Sequence, residues 1–312
     1  MSKGHAFHKR ILNFIHQERL WQPGDSLVLS VSGGVDSMVL LDVLIQSQPA
    51  HQGKIQVVTF DHGLREESAQ ECAFVKEMCD KESIPCEIFA LHMHKGSHFQ
   101  EIAREHRRAI LESFEGSIVT GHHCNDQAET ILFRLLRGTG LTGLRGILPK
   151  QGRWVHPLLF LMKSEIIDYA KSQELHWFED LSNPTSTRGK IRELWPHLAK
   201  IREFPMKSLA QSGRLLALDE DFFREQMLQY WKECIRDFED TTALSDSEIR
   251  KLHPSLQVRL IKELAQQFGL SPTGAQLESF LTWHPISKTA HLPFGRHFQL
   301  QRQNGLLYFV RL

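Results

Sequence analysis

The chain has 312 residues, is 41% hydrophobic and 24% charged, and carries 37 Lys+Arg against 37 Asp+Glu. That size predicts two domains of ordinary globular composition, and zero net charge excludes a globally basic nucleic-acid binder while leaving room for a local basic face. No apolar run reaches membrane-spanning length, and the polar start "MSKGHAFHKRILNFI" does not read as a signal peptide.

Strand and helix alternate through the first two-thirds. Ser26–Val31 reads as a strand and Asp36–Ile45 as a helix. "KIQVVTF" is a second strand, ending at Asp61-His62-Gly63. Ser68 and Glu71 are spaced as a capping box opening the next helix. "PCEIFAL" is a third strand, Phe99–Phe114 a helix, "GSIVTG" a fourth strand, and a helix follows from about Asn125 to Arg137. The alternation predicts an α/β fold: a parallel sheet with helices on both faces, binding ligands beyond the carboxyl ends of its strands. From about Pro205 the pattern changes to helices running through Phe280, then to an alternating tail with an Asn304-Gly305 hairpin signal. A smaller, mainly helical α+β C-terminal domain is expected over 206–312, after a catalytic domain over 1–205.

The stretch "LVLSVSGGVDSMVLLDVL" leaves a strand through Ser32, Gly33, Gly34, Val35, Asp36 and Ser37 and enters a helix at once. Glycines allow a sharp turn and close approach to a ligand, and a helix N-terminus offers unpaired N–H groups with partial positive charge. Together they suit a phosphate or pyrophosphate. Asp36 would repel phosphate unless a cation lay between them, which implies Mg²⁺. No lysine occurs in the loop, so it is not the G-x-x-x-x-G-K-[ST] nucleotide loop, and G-x-G-x-x-G is absent. An ordinary capped β–α turn is the alternative, and all six residues together outweigh it.

In "GHHCNDQAETILFRLLRG", Asp126 and Glu129 share one helical face. Alone they would be capping acids. Beside an anion-binding loop they suit a metal or an amino group. The histidines His92, His94, His98, His122 and His123 lack zinc-site spacing, so zinc is not expected. Five cysteines (Cys72, Cys79, Cys86, Cys124, Cys234) form no C-x-x-C pair, as in a reduced, cytoplasmic chain. Basic runs at Arg134, Arg137, Arg145, Lys150 and Arg153, and at Arg188, Lys190, Arg192, Lys200 and Arg202, flank the expected site and favour a polyanionic substrate.

With these residues assembled, "SVSGGVDS", "FDHGLREES", "QEIAREHRR", "GHHCNDQAETILFRLLRGTGLTGLRGI", "HPLL" and "FEDLSNPTSTRGKIR" resemble the tRNA(Ile)-lysidine synthase family of the ATP-pyrophosphatase superfamily. The tail "LPFGRHFQLQRQNGLLYF" resembles that family's first C-terminal domain, so the chain looks like a short form. The resemblance implies a ligase that uses ATP to adenylate the C2 oxygen of the wobble cytidine of tRNA(Ile) bearing a CAU anticodon. The side-chain amine of L-lysine then displaces AMP. It implies Ser32, Gly33, Gly34, Val35, Asp36, Ser37, Asp61 and His62 at ATP, with Asp36 on Mg²⁺. It places Asp36, Arg104, Asp126 and Glu129 in catalysis, and His122, His123, Asp126, Glu129, Arg188 and Arg192 at the substrates. Asn125, Arg108, His156 and Gly189, and the shortened 184–192 segment, depart from the family pattern. The alternatives are another tRNA-modifying enzyme of the superfamily, such as a thiolase, or a non-catalytic nucleotide- or RNA-binding relative. A homodimer is left open. In the C-terminal domain, Lys288, Arg296, Arg302 and Arg311 are expected to contact tRNA phosphates, against a solvated β surface as the alternative.

Overall fold

The central strand of the first sheet, "SLVLS", shows how this chain builds its core. Leu27 and Leu29 point into one apolar cluster and Val28 into another on the opposite face, the period-2 alternation of a strand buried on both sides. The computed structural model describes residues 3–61, 63, 66–91, 99–179, 187–238 and 241–312. Two compact units divide it, Met1–Arg214 and Leu215–Leu312.

In chain order the first unit contains α1 (Lys3–Gln17), β1 (Ser26–Ser30), α2 (Val35–Gln46), α3 (Gln48–His51), β2 (Lys54–Asp61), α4 (Glu66–Lys81), β3 (Cys86–Ala90), α5 (Phe99–Ser113), β4 (Ser117–Val119), α6 (Cys124–Leu136) and α7 (Leu141–Leu144). Then come β5 (Lys150–Gln151), β6 (Trp154–Val155), α8 (Lys163–Ser172), α9 (Thr187–Ile201) and α10 (Pro205–Cys234), which holds the division point between the units. The sheet order is β3-β2-β1-β4-β6-β5, parallel except for β5 on β6. Strand order reverses between β1 and β4, which puts the switch-point crevice at the carboxyl end of β1. One face of the sheet is covered by α1, α2, α4 and α8 through Ile11, Met38, Leu41, Val75, Ile166 and Tyr169. The other receives Leu111 of α5 against Val28, Val58 and Ile118. The parallel sheet covered on both faces agrees with the sequence.

One local expectation fails. The helix expected to open at Ser68 begins at Glu66, so buried Ser68 lies within its first turn and does not cap it.

The second unit adds β7 (Ile235–Phe238), β8 (Thr241–Ser245), α11 (Asp246–Lys251), α12 (Pro254–Gln267), α13 (Gly274–Thr282), β9 (Thr289–Pro293), β10 (Phe298–Gln303) and β11 (Leu306–Arg311). Its sheet order is β7-β8-β11-β10-β9, antiparallel throughout. Asn304 and Gly305 both have positive φ, 51° and 78°, and Gln303 pairs Leu306. This is the two-residue hairpin turn that the dipeptide favours. The stretch read as helical through Phe280 also contains the β7–β8 hairpin. That pairing is fixed by a distant partner, with Leu307 of β11 opposite Leu244 of β8, which no local pattern reveals.

Arg302 is a correction to the phosphate-contact expectation. Its Nε donates to Asp246 Oδ2 at 2.6 Å and its Nη1 to the Ser287 carbonyl at 2.8 Å, while Arg250 donates to the other Asp246 oxygen at 3.2 Å. The guanidinium is committed to holding the fold. Arg302→Ala is therefore expected to destabilise by on the order of 2 kcal/mol, the usual worth of a charge-assisted contact. Thermal unfolding checks this, and an unchanged midpoint would contradict it.

Candidate nucleotide and amine site

The loop after β1 takes its shape from its own hydroxyls. Ser32 N–H donates to Ser37 Oγ at 3.1 Å, and Ser37 Oγ–H donates to the Gly34 carbonyl at 2.9 Å. Gly33 holds φ +79°, a left-handed conformation that favours glycine. Its carbonyl accepts the Phe178 N–H at 3.0 Å, and Gly34 bridges Phe178 in parallel register, so the loop is braced from behind. Gly34 is the N-cap of α2 and has no side-chain capping bond. The first turn of α2 thus faces the switch-point crevice with its backbone donors.

Asp36 sits in that first turn. Lys163 Nζ lies 2.7 and 2.6 Å from its two oxygens, and His123 Nε2 lies 3.5 Å from Oδ1. Burial alone would raise the Asp36 carboxyl. The hydrogen bond and charge of His123, with the Lys163 ammonium, outweigh it and hold the carboxyl below its usual range. Gly121 packs against this residue, where an added Cβ would lie 3.1 Å from the Asp36 backbone carbon.

His123 is the N-cap of α6 and reaches two carboxylates. On one side is Asp36; on the other, Nδ1 lies 3.4 Å from Asp126 Oδ2. Asp126 also accepts the His123 backbone N–H at 3.0 Å, completing a capping box. Glu129, 3% exposed, accepts from Arg192 Nε at 2.7 Å and Nη2 at 3.4 Å. Among the site residues expected from sequence, the geometry brings together Ser32, Gly33, Gly34, Val35, Asp36, Ser37, His123 and Asp126, with the Glu129–Arg192 pair one helical turn along α6. Arg104 on α5 and Arg188 on α9 both act electrostatically on His122. Asp61 ends β2 and accepts the Gly63 N–H at 2.8 Å. His62, His92, His94 and His98 lie outside the described residues, as do 184–186 of the shortened segment.

The first basic run is largely spent on structure. Arg134 donates to the Gly143 and Gly146 carbonyls, Lys150 to that of Arg19, and Arg153 to those of Glu112, Phe114 and Gly116. Arg108, one of the departures, lies over the Trp154 ring at 5.5 Å and pairs with Glu112. Asn125, another, accepts the Lys163 N–H at 3.1 Å and so helps start α8.

Sequence reasoning missed Lys163. Its signal was present: a lysine in the first turn of a helix opposes the macrodipole and calls for an anion, which Asp36 supplies. It also missed Thr120, whose Oγ1 is hydrogen-bonded to His122 Nδ1 at 2.6 Å and to His156 Nδ1 at 2.7 Å.

Buried His156 is held neutral, its pKa pushed from 6.5 down to about 3 by burial and then by His122. The unfolded chain protonates this group below pH 6.5 while the folded chain does not until about 3. Stability is therefore complete above pH 6.5 and falls as pH drops toward 3, by on the order of 4–5 kcal/mol from this group. His8, His51 and His122, also lowered by burial, act in the same direction. Unfolding midpoints measured across this window should decline with acid, and His156→Leu should flatten the decline; an unchanged slope would contradict the assignment.

Among the described residues, no three His, Cys, Asp or Glu side chains are grouped to hold a metal ion. A Mg²⁺ carried on phosphates does not need such a cage, since one or two carboxylates suffice. An ionised Asp36 beside an uncapped helix N-terminus fits that requirement.

The PP-loop domain family model matches residues 4–198. The chain is 34% identical over 196 residues to the tRNA(Ile)-lysidine synthase of Thermosipho africanus, an alignment covering 59% of this chain and 46% of that protein. It is 31% identical over 290 residues to the tRNA(Ile)-lysidine synthase of Nitrosomonas europaea, covering 86% and 61%. The chain thus spans about half the length of the curated relatives it matches. Among solved structures, the U34-tRNA thiolase of Methanococcus maripaludis superposes with a TM-score of 0.55 at 16% identity, covering 69% of this chain and 80% of that one, a likeness of fold. No described helix is long and apolar enough to cross a membrane. A glycine-rich loop at the switch point, an acid in the first turn beyond it, and a family match running from α1 into α9 lead to one conclusion: the chain belongs to the PP-loop domain family.

Proposed function

We propose that the chain is a tRNA-modifying ligase of the tRNA(Ile)-lysidine synthase type, acting in the cytoplasm on tRNA(Ile) with a CAU anticodon, ATP and L-lysine. The observation that carries this reading is the pair of carboxylates on either side of one imidazole, Asp36 at 3.5 Å and Asp126 at 3.4 Å from His123. One faces the anion-binding loop and the other the helix that bears Glu129. In this reading a nucleotide end and an amine end meet at a single side chain.

In this reading the backbone donors of the loop, with Ser32, bind the phosphates of ATP. Asp36 would hold Mg²⁺, which would supply charge neutralisation when bound. Lys163 and Arg104 add positive charge where the phosphates gain negative charge. The wobble base lies in an unpaired loop, so splaying it into the crevice costs little. Attack by its C2 oxygen on the α-phosphorus expels pyrophosphate. Lysine arrives as an ammonium, since at pH 7 only about one molecule in two to three thousand is neutral. Asp126 and Glu129 bind that ammonium, and Arg188 and Arg192 supply cations for the anionic substrates. The amine then attacks C2 and AMP leaves.

A thiolase reaction is less well supported. Cys124, the cysteine within the site segment, has its thiol pushed up to about 11 by burial and then by Glu165, the reverse of an activated thiolate. Product analysis tests the proposal: AMP and pyrophosphate should form together and only with tRNA present. ADP and phosphate as products would overturn it.

A further inference from the structure

The hydrogen-bond chain His122–Thr120–His156 has no part in phosphate or ammonium binding in the proposed reaction. Thr120 Oγ1 lies 2.6 Å from one Nδ1 and 2.7 Å from the other, and the two rings meet edge to face at 4.9 Å. Thr120 and His156 are buried. A hydroxyl has one hydrogen, and a neutral imidazole has one N–H. The two Nδ1 atoms therefore cannot both accept. At least one must donate to Oγ1; if both did, the buried Thr120 hydrogen would have no acceptor, since among the described residues Oγ1 has only these two partners, so one Nδ1 donates and the other receives the Thr120 hydrogen. Burial lowers both imidazoles, so both are neutral at pH 7 and only two arrangements remain.

The surroundings of His122 choose between them. Its Nδ1 is committed to Thr120, which leaves Nε2 for the site. The charged and titratable groups acting on the ring are Asp126 on α6, Arg188 on α9, the adjacent His123, Arg104 on α5, and His156 across Thr120. Among the described residues no carboxylate is hydrogen-bonded to Nε2, and Asp126 Oδ2 is committed to the His123 backbone N–H. Asp126 is the largest single charge acting on the ring and favours an N–H, while Arg188, His123 and Arg104 together favour a lone pair on Nε2; the arrangement in which the cations prevail leaves Nε2 bare. His122 then donates Nδ1–H to Thr120, Thr120 donates to His156 Nδ1, and His156 keeps its hydrogen on Nε2.

We propose that His156, acting through Thr120, is a positioning residue that fixes His122 in the Nδ1–H tautomer, so that His122 Nε2 accepts the proton of the attacking amine. The proposal rests on the lysine-transfer reading above. A neutral imidazole with a bare Nε2 offers the attacking amine a proton acceptor, which leaves Asp126 and Glu129 to bind the ammonium. The step balances: one ammonium proton passes to His122 Nε2, the freed amine forms the C2–N bond, and the C2–O bond breaks with its electron pair leaving on AMP. An arginine at position 156 has donors and no acceptor. It cannot receive the Thr120 hydrogen, so Thr120 would turn toward His122 Nδ1 and force the hydrogen onto Nε2.

The test compares wild type, His156→Arg and His156→Asn, whose side-chain oxygen still accepts from Thr120. Nitrogen-15 NMR of the labelled imidazoles reads the tautomer without tRNA. Wild type and His156→Asn should show His122 protonated at Nδ1 and bare at Nε2, and His156→Arg should invert this. Single-turnover lysine transfer from pre-adenylated tRNA should slow roughly a hundredfold in His156→Arg and stay near wild type in His156→Asn, with adenylation unchanged in both. An Nε2-protonated His122 in wild type, or the same tautomer in His156→Arg, overturns the proposal. A wild-type chain with the expected tautomer that transfers lysine to no tRNA overturns the lysine reading, and the proton-acceptor role of His122 with it.

Discussion

Asp36→Ala is expected to abolish adenylation, lowering tRNA-dependent AMP formation by a factor of about a thousand or more. The carboxylate is the one acid in the first turn of α2, where a phosphate-bound cation needs it. It stays ionised despite its burial because His123 and Lys163 outweigh the desolvation. Removing it leaves the Lys163 ammonium beside the loop with no metal-holding oxygen. Asp36→Asn keeps the shape and loses the charge, so it should fail almost as completely. Pyrophosphate release with saturating ATP and tRNA checks both variants. Turnover near wild type in Asp36→Asn would show that the charge is not what matters.

Glu129→Ala is expected to leave adenylation intact and to raise the lysine concentration needed for transfer by roughly ten- to a hundredfold, the worth of one charge-assisted contact. Glu129 is buried, whereas its partner Arg192 has a 44% exposed side chain. The pair is therefore asymmetric. Without Glu129, the half-exposed guanidinium keeps its access to water. Without Arg192, a charged carboxylate stays buried, so Arg192→Ala should lower the unfolding midpoint more than Glu129→Ala does. Lysine titration of the transfer step and thermal unfolding separate the two effects. Equal loss of lysine-independent adenylation in Asp36→Ala and Glu129→Ala would contradict the division of roles.

What the sequence revealed of this molecule was what neighbours along the chain determine. The β1 strand, the glycine turn and α2 are contiguous, so loop chemistry and strand–helix alternation placed the anion site at a strand's carboxyl end. The Asn304-Gly305 turn was legible for the same reason: its positive φ angles are a property of two residues. Helix opening at Ser68 was misjudged because a Ser-x-x-Glu spacing also occurs inside a first turn. The β7–β8 hairpin stayed hidden because its strand character comes from β11, sixty residues away. Three further residues of the site depend on the fold alone. Lys163 reaches Asp36 from a helix 127 residues distant, Phe178 braces Gly33 from behind, and His156 meets Thr120 only because β6 joins β4 in parallel.

In the proposed reaction, a PP-loop crevice with carboxylates on both sides of His123 joins lysine to an activated tRNA base. Incorporation of radiolabelled lysine into tRNA(Ile) bearing a CAU anticodon tests it most directly. ATP-dependent label is expected in acid-insoluble tRNA, with one AMP and one pyrophosphate formed per lysine attached and no incorporation by Asp36→Ala. No label transferred to any cytidine-wobble tRNA by a folded, ATP-binding chain would contradict it.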